Sequence, residues 1–281
     1  MPTARLAIGD IEYDELGPRD GRPVVFVHGY LMGGSLFAPL AERLAAAGLR
    51  CISPTWPLGA HRSPMRPDAD LSVPGVAAAV AELLDELDLH DVVLVGNDTG
   101  GLICQVVAGL HAQRLGVLVL TSCDAFDRFP PQVLKPFILL SRHRAAFRLA
   151  MQPMRTRLGR RVGFGAMSHH DIDDYVAAWV RPVLSDPRVA DDLRRFTATL
   201  ERRNATDAAA GLAGFDKPAL VAWSADDKLF PVDDGRELAA VLPQGRFELV
   251  EGARTFSMLD RTEALAALVL DVAEARTPAP D

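Results

Sequence analysis

An aspartate stands at the centre of Val95-Gly96-Asn97-Asp98-Thr99-Gly100-Gly101, with glycines two residues before and two after it. An apolar run precedes this segment and a run of helical period follows it. The spacing therefore predicts a sharp strand–turn–helix elbow with Asp98 at its apex, where small neighbours let the two backbone arms pass closely. A carboxylate needs no base to activate it near pH 7. It can displace a leaving group from saturated carbon and form an alkyl ester on the chain. The following helix offers that carboxylate its N-terminal N–H groups and partial positive charge. The plainer alternative is an aspartate in an ordinary β-to-α turn.

A second turn, His28-Gly29-Tyr30, follows another apolar run. In an elbow of this kind that loop gives one backbone N–H to an oxyanion hole, and the residue after the nucleophile gives the other. The donors are then Tyr30 and Thr99. His28 reads as a brace for its loop.

Such turns need a sheet to hold them. Short apolar runs at residues 24–27, 50–53, 92–95, 117–120, 219–223 and 246–250 read as strands. Segments of helical period at 36–47, 76–87, 101–111, 235–241 and 260–275 separate them, and the tail 277–281 reads as frayed. Fully apolar strands alternating with helices predict an α/β fold with a mostly parallel sheet covered on both faces. Strands are missing only in the middle. Residues 1–125 and 211–281 read as two parts of one core, and residues 126–210 as a helical insertion.

At this point the chain resembles the α/β-hydrolase family, and within it the haloalkane dehalogenases and epoxide hydrolases with an aspartate nucleophile. The resemblance rests on strand order, the His28-Gly29 loop, the Gly96 to Gly101 elbow and Trp223-Ser224-Ala225-Asp226-Asp227. It implies the α/β-hydrolase fold, with the insertion as a helical cap and Asp98 facing a mostly apolar pocket beneath it. It also implies an acid after the strand that follows the cap. Asp227 matches that place best, with Asp226 as the near alternative. Asp124 matches the other acid position that some dehalogenases use.

The family's histidine should follow the last strand in a segment like G-x-x-H-F. Here the segment reads Gly252-Ala253-Arg254-Thr255-Phe256, so Thr255 stands in the histidine's place. No histidine lies beyond His170. His61 could reach the active edge of the sheet from its loop, and His169 and His170 could hang from the cap. Other features also differ from the family. Thr99 stands where dehalogenases carry a tryptophan, and Tyr175 is the only tyrosine in the cap, where epoxide hydrolases use two.

Composition bounds the rest. The chain has 281 residues, 49% of them apolar and 24% charged, and a formal charge of -7. That balance argues against a nucleic-acid partner. No run approaches the roughly 18 apolar residues of a membrane helix, so no membrane partner is expected. Three cysteines in apolar runs read as buried thiols, which places the chain in the cytoplasm. Neither a metal nor a cofactor is indicated. The arginines between Arg142 and Arg161 read as a solvated cap surface. Three readings of function stay open. One is a hydrolase opening a carbon–halogen, epoxide or ester bond of a small substrate through Asp98. Another is a cofactor-free lyase, decarboxylase or isomerase using Asp98 as base, and the third is a ligand-binding member of the fold. The oligomeric state is not legible.

Overall fold

The apolar runs form one eight-stranded sheet in the computed structural model, which describes residues 1–274. Ala275 and the tail 277–281 lie outside the described residues. The strands are β1 (Thr3–Leu6), β2 (Gly9–Leu16), β3 (Pro23–Val27), β4 (Arg50–Pro54), β5 (Val92–Asp98), β6 (Leu115–Cys123), β7 (Ala219–Ser224) and β8 (Gly245–Val250). Their spatial order is β1-β2-β4-β3-β5-β6-β7-β8. From β4 onward across the sheet every pairing is parallel, whereas β1–β2 and β2–β4 are antiparallel. The α/β-hydrolase fold with a mostly parallel sheet is therefore present. The antiparallel edge is new. In β2, Ile11 and Tyr13 are buried while Asp10 and Asp14 are exposed, so the strand alternates instead of running apolar throughout. A search for continuous apolar runs passes over such a half-wet strand.

Helices α1 (Ala38–Ala46), α2 (Val73–Glu86) and α3 (Thr99–Leu110) follow β3, β4 and β5 in turn. The Ser72 hydroxyl caps α2 by accepting the Gly75 N–H at 3.2 Å. Between β6 and β7 the described chain holds no strand. It forms α4 (Lys135–Leu140), α5 (Arg144–Met151), α6 (Arg157–Phe164), α7 (Asp173–Ser185), α8 (Pro187–Ala198) and α9 (Arg202–Gly211). After β7 come α10 (Val232–Val241), α11 (Ser257–Asp260) and α12 (Thr262–Glu274). The helix that the sequence places at 260–275 is α12, which starts two residues later because the chain breaks at Arg261 (φ −139°) after the short α11. Two helical layers flank the sheet, α1 packing with α12 and α2 with α3.

Hydrogen bonds fasten the helical insertion to the core at several points, the loops after β3 and β8 among them. The Trp179 indole donates to Ser35 Oγ at 2.8 Å, and the Tyr30 hydroxyl lies 2.7 Å from Thr197 Oγ1. The Phe256 N–H donates to the Met167 carbonyl at 2.8 Å. The elbow itself depends on close backbone approach. A Cβ on Gly100 would stand 2.1 Å from the Val27 carbonyl oxygen and 2.5 Å from that of His28. Both obstacles are backbone, so nothing can swing aside. Gly100→Ala should destabilise the protein by at least about 1–3 kcal/mol, the usual range for overpacking. A urea midpoint unchanged from the native protein would show that the elbow has more room than this.

Candidate active site

Asp98 is the last residue of β5 and the N-cap of α3, and its backbone lies in the left-handed region at φ 56° and ψ −134°. Its Oδ1 accepts two backbone N–H groups, from Thr99 at 2.6 Å and from Tyr30 at 3.2 Å. The two oxyanion-hole donors read from the sequence thus meet on one atom, and that atom belongs to Asp98 itself. Gly29 is required beside it, because a Cβ there would stand 2.1 Å from Oδ1.

His28 is fully buried and its Nε2 accepts the Trp56 N–H at 2.8 Å. That assigns the proton to Nδ1, which donates to the Gly29 carbonyl at 3.0 Å. Burial lowers the imidazole pKa to about 4, so the ring is neutral near pH 7 and ties two loops together.

Two further carboxylates surround the elbow. Asp124, just past β6, is buried, and its Oδ2 accepts the Thr99 hydroxyl at 2.9 Å. Its carbonyl accepts Gln105 Nε2 at 2.9 Å. Asp227 lies past β7. Its Oδ1 accepts the Leu229 and Phe230 N–H groups at 2.8 and 3.0 Å and the Thr255 hydroxyl at 3.1 Å. Its Oδ2 is buried and has no partner. Burial raises the pKa of Asp98, and the nearby charge of Asp227 adds to this against the opposing Thr99 and Tyr30 hydrogen bonds. Burial also raises Asp124 well above the ordinary range, with the charge of Asp98 as the next cause. Among the described residues, no arginine, lysine or histidine forms an ion pair with any of the three. The sequence reads Asp98 as a carboxylate that needs no activating base. Burial, with the charge of Asp227, shifts its pKa upward.

The histidines go elsewhere. His61 is buried with Nε2 3.3 Å from Asp192 Oδ2 on α8, so its ring is committed to the insertion. His169 Nε2 sits 3.0 Å from Asp226 Oδ2, and His170 is exposed. Asp226 is thus spoken for, while Asp227 is the acid that contacts Thr255. Thr255 is fully buried, and its carbonyl accepts Asn97 Nδ2 at 2.9 Å. Tyr175 packs on Trp179 with ring centroids 5.7 Å apart. Two cavities, of about 530 and 720 Å³, lie away from the elbow, and Asp98 lines neither.

Two supporting residues escaped the sequence reading. Asn97 links the elbow to the Thr255 loop and also bonds the Thr121 and Ser122 carbonyls. Gln105 holds the Asp124 loop. The signal was there: each is a lone amide in an otherwise apolar strand or helix, and such a group must find partners when buried.

The family described as "alpha/beta hydrolase fold" matches residues 22–262. Over 259 residues the chain is 26% identical to the non-heme chloroperoxidase CPO-A1 of Kitasatospora aureofaciens, spanning 90% of this chain and 91% of that one. It is 25% identical over 281 residues to a 2-hydroxy-6-oxononadienedioate/2-hydroxy-6-oxononatrienedioate hydrolase of Pseudomonas putida, covering 95% and 94%. A crystal structure of an alpha/beta hydrolase fold protein from Burkholderia ambifaria superposes with a TM-score of 0.79, at 26% identity over 96% of this chain and 97% of that one.

The buried carboxylates set a pH dependence. A carboxyl raised in the native state contributes stability that is complete below its unfolded pKa, about 3.9, and lost as pH rises through the native value. Asp124→Asn keeps an acceptor for the Thr99 hydroxyl and removes the charge. It should leave the urea midpoint nearly unchanged below about pH 4 and raise it at neutral pH, by about 1.4 kcal/mol for each unit of native-state shift. An equal effect at both ends of the range would mean that Asp124 is not held above its unfolded pKa.

Proposed function

This chain belongs to the alpha/beta hydrolase fold family, and from that premise we propose an enzyme in which Asp98 attacks a small, largely apolar substrate. The bond opened is carbon–halogen, epoxide or ester. In the carbon–halogen case Asp98 Oδ2 forms the new C–O bond, and the halide departs with the electrons of the old one. The product of this step is an ester on Asp98. Residues 126–210 serve as the cap over the site, between core parts 1–125 and 211–281. Trp179 and Thr197 hold the cap on the loop after β3.

The observation that carries this reading is the division of labour within one carboxylate. Oδ1 is fixed by the Tyr30 and Thr99 N–H groups, and Oδ2 takes part in neither contact. The group is aimed before any substrate arrives, and in the ester the same N–H groups face the carbonyl oxygen that becomes an oxyanion on hydrolysis. Asp227 and Thr255 occupy the acid and histidine positions. A threonine hydroxyl cannot take a proton from water near pH 7, so the second half-reaction lacks a base worth about 10²- to 10⁴-fold.

A second reading is favoured by the raised pKa of Asp98. A carboxyl poised closer to neutrality exchanges protons more readily than an ordinary aspartate, which suits a lyase or isomerase that never hydrolyses an ester.

Intact-mass measurement separates the two. After incubation with an alkyl bromide the native protein should carry one alkyl group, Asp98→Asn should carry none, and Thr255→His should shed the group faster by at least about 10²-fold. Native protein that releases bromide with multiple turnovers and no adduct would sink the stalled-ester version. Native protein that stays unmodified while exchanging a substrate proton would favour the second reading.

A further inference from the structure

Between Arg128 and His170 the chain has nine lysines and arginines and no aspartate or glutamate, although its formal charge is -7. The same stretch holds Val133, Leu139, Leu149, Leu158 and Val162, half of the ten exposed large apolar side chains among the described residues. Leu149, Leu158 and Val162, at 72%, 72% and 80% exposure, are the three most exposed. Basic charge and bare hydrocarbon thus share one stretch of the insertion.

Helical spacing sorts them into stripes. In α5, Arg144 and Arg148 are four residues apart, and Ala145 and Leu149 form a parallel row one residue on; all four are exposed. In α6 the pattern returns as Arg157 and Arg161 beside Leu158 and Val162, again all exposed. Residues four apart lie on one helix face, so each helix shows water an arginine stripe next to an apolar stripe. The buried sides are held by Phe147 and Met151 in α5 and by Phe164 in α6. A single 3-10 turn, Gln152–Arg155, joins the two helices.

Some of this charge is satisfied internally. Arg144 pairs with Asp191 at 2.9 Å, and Arg157 pairs with Asp171 at 2.6 Å. Arg148 and Arg161 have no acidic partner among the described residues. Arg144 and Arg148 also line a cavity of about 720 Å³ together with Arg188, Arg194 and Arg195. Asp191 and Asp192 share that lining, so arginines outnumber acids there five to two.

We propose that α5 and α6 seat the protein on an anionic lipid surface, with Leu149, Leu158 and Val162 entering the acyl boundary and the arginines meeting phosphate headgroups. An apolar row beside a basic row is what an interfacial helix presents to such a surface. A second copy of this chain would set basic face against basic face. A nucleic acid would use the arginines and leave the hydrocarbon rows in water. On this proposal the cap surface that the sequence reads as solvated is also a docking face. Contact at the surface differs from crossing the bilayer, for which no described helix is long and apolar enough.

Sedimentation of the full chain with vesicles of phosphatidylglycerol or of phosphatidylcholine tests this. Binding should occur with phosphatidylglycerol alone and weaken as salt rises. The double variant Leu158→Asp/Val162→Asp and the single variant Leu149→Asp should each bind at least about tenfold more weakly. Arg148→Gln should lower the affinity while leaving the apolar rows intact. All these positions are exposed, so urea midpoints should match the native protein; any variant that differs is replaced by Leu149→Gln, for which the same loss is expected. Absence of binding to phosphatidylglycerol at low salt would overturn the proposal. So would binding that the apolar substitutions leave unchanged, duplex DNA binding of equal strength, or self-association abolished by the same variants.

Discussion

Everything around the candidate site depends on one contact, the Asp98 carboxylate oxygen in the crook of two backbone N–H groups. Holding a non-glycine residue in the left-handed region costs about 1–3 kcal/mol. Two hydrogen bonds to a charged acceptor contribute roughly 1.5–3 kcal/mol each. Together the two bonds outweigh the strain, and the elbow gains its margin of stability when both donors reach Oδ1. That condition propagates outward. It fixes the Gly29 loop, which His28 braces against Trp56, and it requires Gly100 to pass within reach of the Val27 and His28 carbonyls. The parallel strands β3 and β5 are neighbours, and their carboxyl ends bring the two donors together.

The same geometry concentrates negative charge. Asp124 is buried and Asp98 and Asp227 are partly buried, none of the three is ion-paired among the described residues, and the fold compensates with hydrogen-bond donors instead. Asp98 receives two N–H groups, Asp124 one hydroxyl, and Asp227 two N–H groups and a hydroxyl, all on one oxygen. Asp227 Oδ2 is the exception. A buried acceptor without a partner costs about 1–3 kcal/mol.

Much of this was legible from residue types. Glycine spacing located the elbow, and the apolar runs gave six of the eight strands with ends shifted by at most three residues. The β1–β2 hairpin was missed because its alternation is the mark of a half-wet antiparallel edge, and the runs sought were those of doubly covered strands. Partners of the titrating groups were the least legible part. Nothing in the neighbourhood of His61 in sequence points to Asp192, which lies 131 residues away and arrives only when α8 packs on the loop after β4. Asn97 and Gln105 were readable in principle, as amides stranded among apolar neighbours.

Thr255 bears on how the site is built as a whole. It is fully buried, its hydroxyl serves Asp227, and its carbonyl is held by Asn97 from the strand that carries Asp98. These bonds use the backbone and one short hydroxyl, so the loop keeps its place without an imidazole. In the proposed reaction a threonine there supplies no proton transfer, while the scaffold stays closed. The two halves of ester chemistry therefore rest on different parts of the chain. Attack needs only the elbow and its two N–H donors, which the β3 and β5 ends supply. Release needs a base beside the ester, and the loop after β8 offers a hydroxyl already committed to a carboxylate. In the proposed reaction, the first half is written into the sheet and the second into a single side chain, which is why one substitution can separate them.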